Sequence, residues 1–576
     1  MLKKVLRQYF PEVNHWAWFL IFIGTLTWSL TMVKSGIVYD YGMGFWGPNG
    51  HDGVWHISLI RSLAEGSWKM PLFAGENINN YHVGFDLLLA IIHKLTLIPV
   101  HTLYFQIIPP LTALFTGIFV YKFVLYWKKS STASWWSTFF VYFGGGWGWI
   151  ITLLRDKNLG GESLFWSQQS ISTLVNPPFA LSLLILFAGL YFLLKGLRKK
   201  ENRLLVLVTF IFGILVQIKV YAGILILIAL FTSGIWRMYK RKGVSLIKVF
   251  AGALIVSILI FSPASKDTGQ ILVFQPFWFL DEMMATPDRF YWPRMASALA
   301  NYKLTGNWIK AFFAYGLAFA IFWFGNLGSR IIKEPLFFKD LKNIKLLSFL
   351  EVFLYTVILS GVLIPTFFIQ RGTPWNTIQF LYYTLIFSGI LAGVGLGQFI
   401  QNSKLNTLII YIIVVVVVLL TIPTTIGTLW YHYIPVRPPA KISNEELEAL
   451  KFLSNQPEGI VLTQPFDKDL ALAAVDYPPR PLYLYESTAY VSAFSGKTTY
   501  LEDEVNLEIT GYDWRNRREE VERFFTDPRY DGRVELLQKK GITYVYVINN
   551  IQDLYKDLHL EPDKIFENKE ITIYKI

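Results

Sequence analysis

Gly50-His51-Asp52-Gly53-Val54-Trp55-His56 stands between the first long apolar run of the chain and the next. It sets an acidic side chain at the mouth of sequence that is otherwise suited to lipid as far as Tyr433. An ionisable group kept at such a boundary is costly in hydrocarbon and points to a function.

Outward from this motif, composition defines the class. Of 576 residues, 53% are hydrophobic and only 16% charged, whereas soluble domains carry roughly a quarter charged residues. Apolar runs of about 20 residues recur, the length that crosses a 30 Å hydrocarbon core as a helix. The expected spans are 15–33, 103–127, 134–154, 177–195, 203–218, 219–236, 246–262, 308–327, 348–369, 379–399 and 406–430. The net charge of +12 is not a nucleic-acid footprint. Its clustered cations fall between apolar runs at Lys3/Lys4/Arg7, Lys128/Lys129, Lys195 to Arg203, Arg237 to Lys242 and Arg330 to Lys345, where lysine and arginine mark the cytoplasmic side. Keeping all of them on one side requires 82–98, with Asp86, His93 and Lys94, to be re-entrant or interfacial. The expected architecture is an α-helical polytopic membrane protein of about eleven spans. Its N-terminus is cytoplasmic, held by an uncleaved signal anchor, and its C-terminal α/β domain is extracytoplasmic. No cysteine is present, which excludes disulfides and thiolate metal sites.

The expected domains are 1–433, with external loops 34–102 and 263–307, and a charged tail 434–576. In the tail, Ser443 followed by Glu446 reads as a capping box before a helix over Asn444 to Leu453. Gly459 to Thr463, Ile542 to Ile548 and Ile571 to Ile576 read as buried strands, and Trp514 to Phe525 and Val534 to Lys540 as helices. The tail shows no catalytic motif.

Asp52 has two readings from spacing alone. It is a favoured helix N-cap, worth about 1 kcal/mol, or it is a catalytic carboxylate. His51, His56 and His82, with Asp40 or Asp52, could gather metal ligands, but His51 and His56 are five apart rather than the i,i+4 of a helical zinc pair. Contact with substrate or headgroups suits these histidines better, so no metal ligand is assigned and a divalent cation stays an open cofactor. Gly144-Gly145-Gly146-Trp147-Gly148-Trp149 lies inside an apolar run and is no phosphate cradle; glycines there permit close helix packing or a local break.

Taken in order, Asp52 early in the first external loop, an amphipathic segment, Gly66-Ser67-Trp68-Lys69-Met70-Pro71 and Asn80-Tyr81-His82-Val83-Gly84-Phe85-Asp86-Leu87-Leu88-Leu89-Ala90 resemble the GT-C membrane glycosyltransferases. The nearest pattern is that of aminoarabinose-transferase and protein O-mannosyltransferase relatives. The resemblance covers roughly the first 130 residues in detail, and the tail from Tyr485 to Tyr500 with Ile542 to Tyr546 in outline. The chain departs from it with His51-Asp52-Gly53 where many relatives have Asp-Glu, and Val83-Gly84 where they have Pro-Pro, so the relatives' substrate does not carry over.

The resemblance implies a polyprenyl-phosphate-sugar donor, a lipid, glycan or protein acceptor outside the cytoplasm, and inversion at the anomeric carbon in the cell envelope. Asp52 would be the general base, with Asp40 the runner-up. His51, His56, His82 and Tyr81 would contact substrate. For the leaving phosphate the candidates are Lys219, isolated between two apolar runs, and Arg371, in the turn Arg371-Gly372-Thr373-Pro374-Trp375-Asn376. Each could instead meet lipid headgroups. Two rivals are a transporter or flippase of lipid-linked saccharide, which usually shows internal repeats not seen here, and an inactive relative that only binds polyprenyl lipid.

Overall fold

Each of the eleven apolar stretches is helical in the computed structural model, which describes residues 12–261, 272–527, 533–549 and 563–576. The expected topology markers Lys3, Lys4 and Arg7 lie outside the described residues. Among the described residues, seven helices are long and apolar enough to cross a membrane: Val100–Lys128, Pro177–Lys199, Val220–Tyr239, Trp308–Lys342, Phe349–Phe367, Pro374–Asn402 and Thr407–Tyr433. A bent pair, Ser131–Phe143 and Gly148–Asp156 at 44°, is a broken span or a re-entrant loop. His15–Ser29, Asn202–Ile218 and Ser245–Ile260 are shorter. The expected stretch 134–154 is thus interrupted at its glycines, where the sequence admits a local break.

The glycines explain the break. A Cβ on Gly145 would lie 2.6 Å from Thr424 Oγ1, and one on Gly146 would lie 2.8 Å from the Gly325 carbonyl. Facing them, Gly328 has φ +55°, and its Cβ would meet the Gly145 carbonyl at 2.0 Å. Two chain breaks thus press backbone against backbone, with Trp147 N–H donating to Gly325 O at 2.7 Å. The neighbouring Gln379–Asn402 helix also uses small residues. Cβ atoms on Gly393 and Gly397 would lie 2.2 Å from Ser137 N and 2.6 Å from Ala133 Cα, the close approach that glycine permits between membrane helices.

The described residues fall into two units. One comprises residues up to Thr31, from Pro109 to 261 and from 272 to Ile434; the other comprises Met32–Ile108 and the residues from Pro435 onward. In the first unit the second long loop is ordered as helices Trp278–Ala285 and Pro293–Leu304, with Phe279, Leu280, Met283 and Met284 buried. Arg330, expected among the loop cations, is fully buried instead.

In the second unit, the first loop and the tail share one sheet. Its order is β1 (Ile37–Tyr39), β2 (Gly42–Phe45), β3 (Ala440–Ile442), then Arg480–Pro481, with Met43 opposite Ile442 and Phe45 opposite Ala440. A second, five-stranded sheet runs Asp563–Glu567, Ile571–Lys575, Ile542–Ile548, Ile460–Thr463, Thr498–Thr499, with parallel pairing of Ile460–Thr463 to both Ile542–Ile548 and Thr498–Thr499. Ser443 and Glu446 form the expected capping box of the Asn444–Ser454 helix. Helices Arg515–Thr526 and Arg533–Lys539 lie where amphipathic spacing puts them. Stretch 82–98 is the helix Gly84–Thr96. At 13 residues it reaches about 20 Å, short of a crossing. It buries Phe85, Asp86, Leu89 and Ala90 and exposes Leu88, Ile91 and Leu95.

Candidate functional site

The helix α1 (Asp52–Ala64) begins one residue earlier than the capping reading of Asp52 requires. His51 occupies the N-cap position without a side-chain capping bond, so Asp52 sits inside the first turn. A carboxylate there is favoured by the unpaired N–H groups and the positive end of the helix dipole. Its side chain is half exposed. Two contacts dock α1 onto the tail: Arg61 donates to the carbonyls of Ala493 and Phe494 at 3.0 and 2.9 Å, and Ser58 bonds Ser492 at 3.1 Å.

His51 is buried and bridges two carboxylates. Its Nδ1 lies 3.0 Å from Asp52 Oδ1 and its Nε2 lies 3.3 Å from Asp503 Oδ1. Burial alone would lower the imidazole pKa, but the charges and hydrogen bonds of Asp503 and Asp52 hold it well above the usual 6.5. Both ring nitrogens then donate. Asp503, almost fully buried, has the left-handed φ of +52° and caps the Glu504–Thr510 helix through Asn506 N at 3.1 Å. Such backbone strain persists only where neighbours hold it.

Glu486 is the third carboxylate of this cluster, coupled to His51, Asp52 and Asp503. Burial raises its pKa; His51 opposes the shift, while Asp52 and Asp503 reinforce it. Beside it Tyr485, whose hydroxyl donates to Gly47 O at 3.1 Å, is pushed up to about 12 by burial and by Glu486. Glu486 and Asp503 line a small open pocket with Gln464, Asp467, Tyr483 and Thr488. The Thr488 hydroxyl is buried there with no hydrogen-bond partner among the described residues. Sequence reasoning missed Glu486 and Asp503, because isolated acids in a charged tail carry no spacing signal.

The remaining candidates in this unit are packed among aromatic rings. His56 Nδ1 meets Asp86 Oδ1 at 2.7 Å, and its ring stacks on Tyr104 with centroids 5.6 Å apart. His82 is buried and stacks on Tyr81 at 4.5 Å, and Tyr81 meets Trp55 edge-on at 5.5 Å. Asp40 is exposed in the two-residue turn between β1 and β2, a position that favours aspartate for turn geometry. Among the described residues no three His, Asp or Glu side chains gather to hold a metal ion.

In the other unit, Lys219 sits in extended backbone (φ −156°) between helices Leu215–Ile218 and Val220–Tyr239. The lysine is buried and its Nζ donates to Asn176 Oδ1 at 3.3 Å. Asn176 also caps the Pro177–Lys199 helix by accepting from Phe179 N, so the plain helix-start reading of Asn176-Pro177-Pro178 holds alongside the lysine contact. From Asn176 the hydrogen bonds continue to Gln379 at 3.4 Å, from there to Asn376, and on to Gln370 at 3.2 Å. Gln370 in turn accepts from Tyr221 at 3.3 Å. Lys219 Nζ stands 5.6 Å from the Tyr221 ring centre, which closes the circuit. Arg371 follows Gln370 directly and is exposed, with no ion pair among the described residues. Two cations that the sequence nominates separately thus belong to one polar circuit and the residue next to it.

No family model matches the chain, and no curated protein sequence does. Solved structures do match. The Archaeoglobus fulgidus oligosaccharyltransferase in the apo form is 12% identical, with a TM-score of 0.52 over 94% of this chain and 70% of that one. The oligosaccharyltransferase AglB of the same organism, in complex with an inhibitory peptide and a dolichol-phosphate, is 12% identical, with a TM-score of 0.50 over 93% and 70%. With its apolar helices the chain is a multi-pass membrane protein, and it shares the fold of these oligosaccharyltransferases.

Proposed function

We propose that the chain is a membrane glycosyltransferase. It moves a sugar from a polyprenyl-phosphate-linked donor to a hydroxyl-bearing acceptor outside the cytoplasm, with inversion. The observation that carries this reading is the His51 bridge, which holds the half-exposed Asp52 against the buried Asp503. An aspartate is ionised at neutral pH and can take the acceptor proton at about 2.6–3.2 Å. The acceptor oxygen then bonds to the anomeric carbon as the carbon–phosphate oxygen bond breaks, and polyprenyl phosphate leaves with the electron pair. Lys219 and Arg371 are the candidates for binding the donor phosphate. The dolichol-phosphate and peptide bound by the Archaeoglobus protein support a lipid-linked donor and an extracytoplasmic acceptor. Asp40, fixed by turn geometry, is the weaker base. Tyr81 and His82 contact substrate, while His51 and His56 act through the carboxylates they hold. Residues 434–576 and loops 34–102 and 263–307 lie outside the cell membrane and the N-terminus inside.

The test is Asp52→Asn in membranes supplied with a labelled polyprenyl-phosphate sugar. Transfer is expected to fall by about 10²–10⁴-fold, with expression and capture of polyprenyl phosphate retained. Undiminished transfer removes Asp52 from the mechanism. Lipid-linked saccharide flipped across proteoliposomes without any sugar transfer would establish the transporter reading in its place.

A further inference from the structure

A guanidinium lies inside the helical unit with no ion pair to a carboxylate among the described residues. Arg330 is in the 3-10 turn Gly328–Lys333 that follows the Trp308–Leu327 helix, and none of it is exposed. Arginine keeps its proton in proteins, so the charge cannot be shed. Nε donates to Leu327 O at 3.0 Å, and Nη2 donates to Asn326 O at 2.8 Å and to Gln169 Oε1. Nη1, with two donors, has no acceptor among the described residues. The nearby acids are otherwise occupied: Glu162 accepts from Gln169 N, Ser172 and Thr428, and Glu334 pairs with Lys333.

Arg330 lines a hollow with Gln168, Ser170, Ser172, Thr173 and Phe179 that has room for about one water-sized occupant. The missing Cβ of Gly144 would stand 3.2 Å from both Arg330 Nη1 and Ser170 Oγ, and 2.5 Å from the Phe140 carbonyl oxygen. Arg330 and Ser170 thus lie close to one another and line the same hollow. The Ser170 hydroxyl makes only a long 3.4 Å bond to Phe140 O and can rotate. A buried charge without a counter-charge is strongly unfavourable. Water there would satisfy hydrogen bonds but leave the charge uncompensated. A phosphate, with five heavy atoms, exceeds the space, whereas a halide is a single atom.

We propose that the hollow at Arg330 binds a small monovalent anion of the halide class, chloride in practice, between Nη1 and the Ser170 hydroxyl. The anion neutralises the guanidinium and fastens the Ser170–Val175 turn to the glycine breaks. That turn leads into Asn176, the partner of Lys219. This site is independent of the glycosyl-transfer reading.

The experiment uses the purified full chain in detergent, with sodium gluconate replaced stepwise by chloride at constant ionic strength. The unfolding temperature is expected to rise and saturate with chloride, bromide is expected to substitute, and Arg330→Met is expected to lose the response. Ser170→Ala, which keeps the charge, is expected to raise the chloride midpoint about tenfold. In crystals soaked in bromide, an anomalous peak is expected within hydrogen-bond distance of Nη1. A flat chloride response, a response undiminished in both variants, or no bromide peak at Arg330 each overturns the site. Stabilisation by polyprenyl phosphate but not by chloride overturns it equally.

Discussion

His56 and Asp86 meet at 2.7 Å across 30 residues of chain, with both side chains nearly sealed from solvent. The contact ties α1 to the Gly84–Thr96 helix beneath Asp52. Leaving a buried hydrogen-bonding group without its partner typically costs about 1–3 kcal/mol. Asp86→Ala is accordingly expected to lose about 2 kcal/mol in a denaturant titration of the purified protein, and Asp86→Asn less.

His51 gives a pH signature. Its folded pKa is raised, so the bridge contributes fully below about pH 6.5 and fades as pH rises through the higher folded value. Unfolding temperatures of wild type and His51→Gln should differ most near neutral and acid pH and converge in alkali. A gap that widens with pH would contradict a protonated bridge.

Lys219 and Asn176 separate charge from scaffold. Lys219→Met is expected to weaken retention of polyprenyl phosphate about tenfold with little change in unfolding temperature. Asn176→Ala loses a helix cap as well, at about 1 kcal/mol, and should lower both. Equal retention by all three proteins would remove this circuit from the phosphate site.

Gly328 and Gly316 form a contrasting pair. A Cβ at Gly328 meets the Gly145 carbonyl at 2.0 Å in a left-handed backbone, whereas at Gly316 it meets nothing within 4 Å. Gly328→Ala should prevent stable folding. Gly316→Ala, within a helix, should be neutral or stabilising by up to about 1 kcal/mol, as read by thermal unfolding in detergent.

The proposed orientation is open to thiol labelling, since the chain has no cysteine. Lys451→Cys is expected to react with an impermeant maleimide added to intact cells, and Lys242→Cys only after lysis. The reverse pattern would invert the topology.

What the sequence reveals here depends on whether a feature is periodic. Ile542 to Ile548, the Ser443/Glu446 box and the apolar runs repeat at the spacing of their own hydrogen bonds, so they can be read without tertiary knowledge. Asp503 and Glu486 cannot, because what qualifies them is proximity to His51, more than 430 residues away in the chain. Arg330 misleads for the related reason that an arginine between apolar runs resembles a loop cation. Only its packing against Gly144 and Gln169 shows that it is buried. Lys219 and Arg371 stand out as isolated cations, yet the amides linking them, Asn176, Gln379, Asn376 and Gln370, give no advance sign.

The pairing of Met43 with Ile442 has a practical consequence. A truncation that releases the last 140 or so residues would strip β3 of its neighbour β2, leaving a raw strand margin with unpaired N–H and C=O groups. Such margins recruit other chains, so the severed tail is expected to self-associate, whereas a splice that carries 32–108 along with it should stay monodisperse.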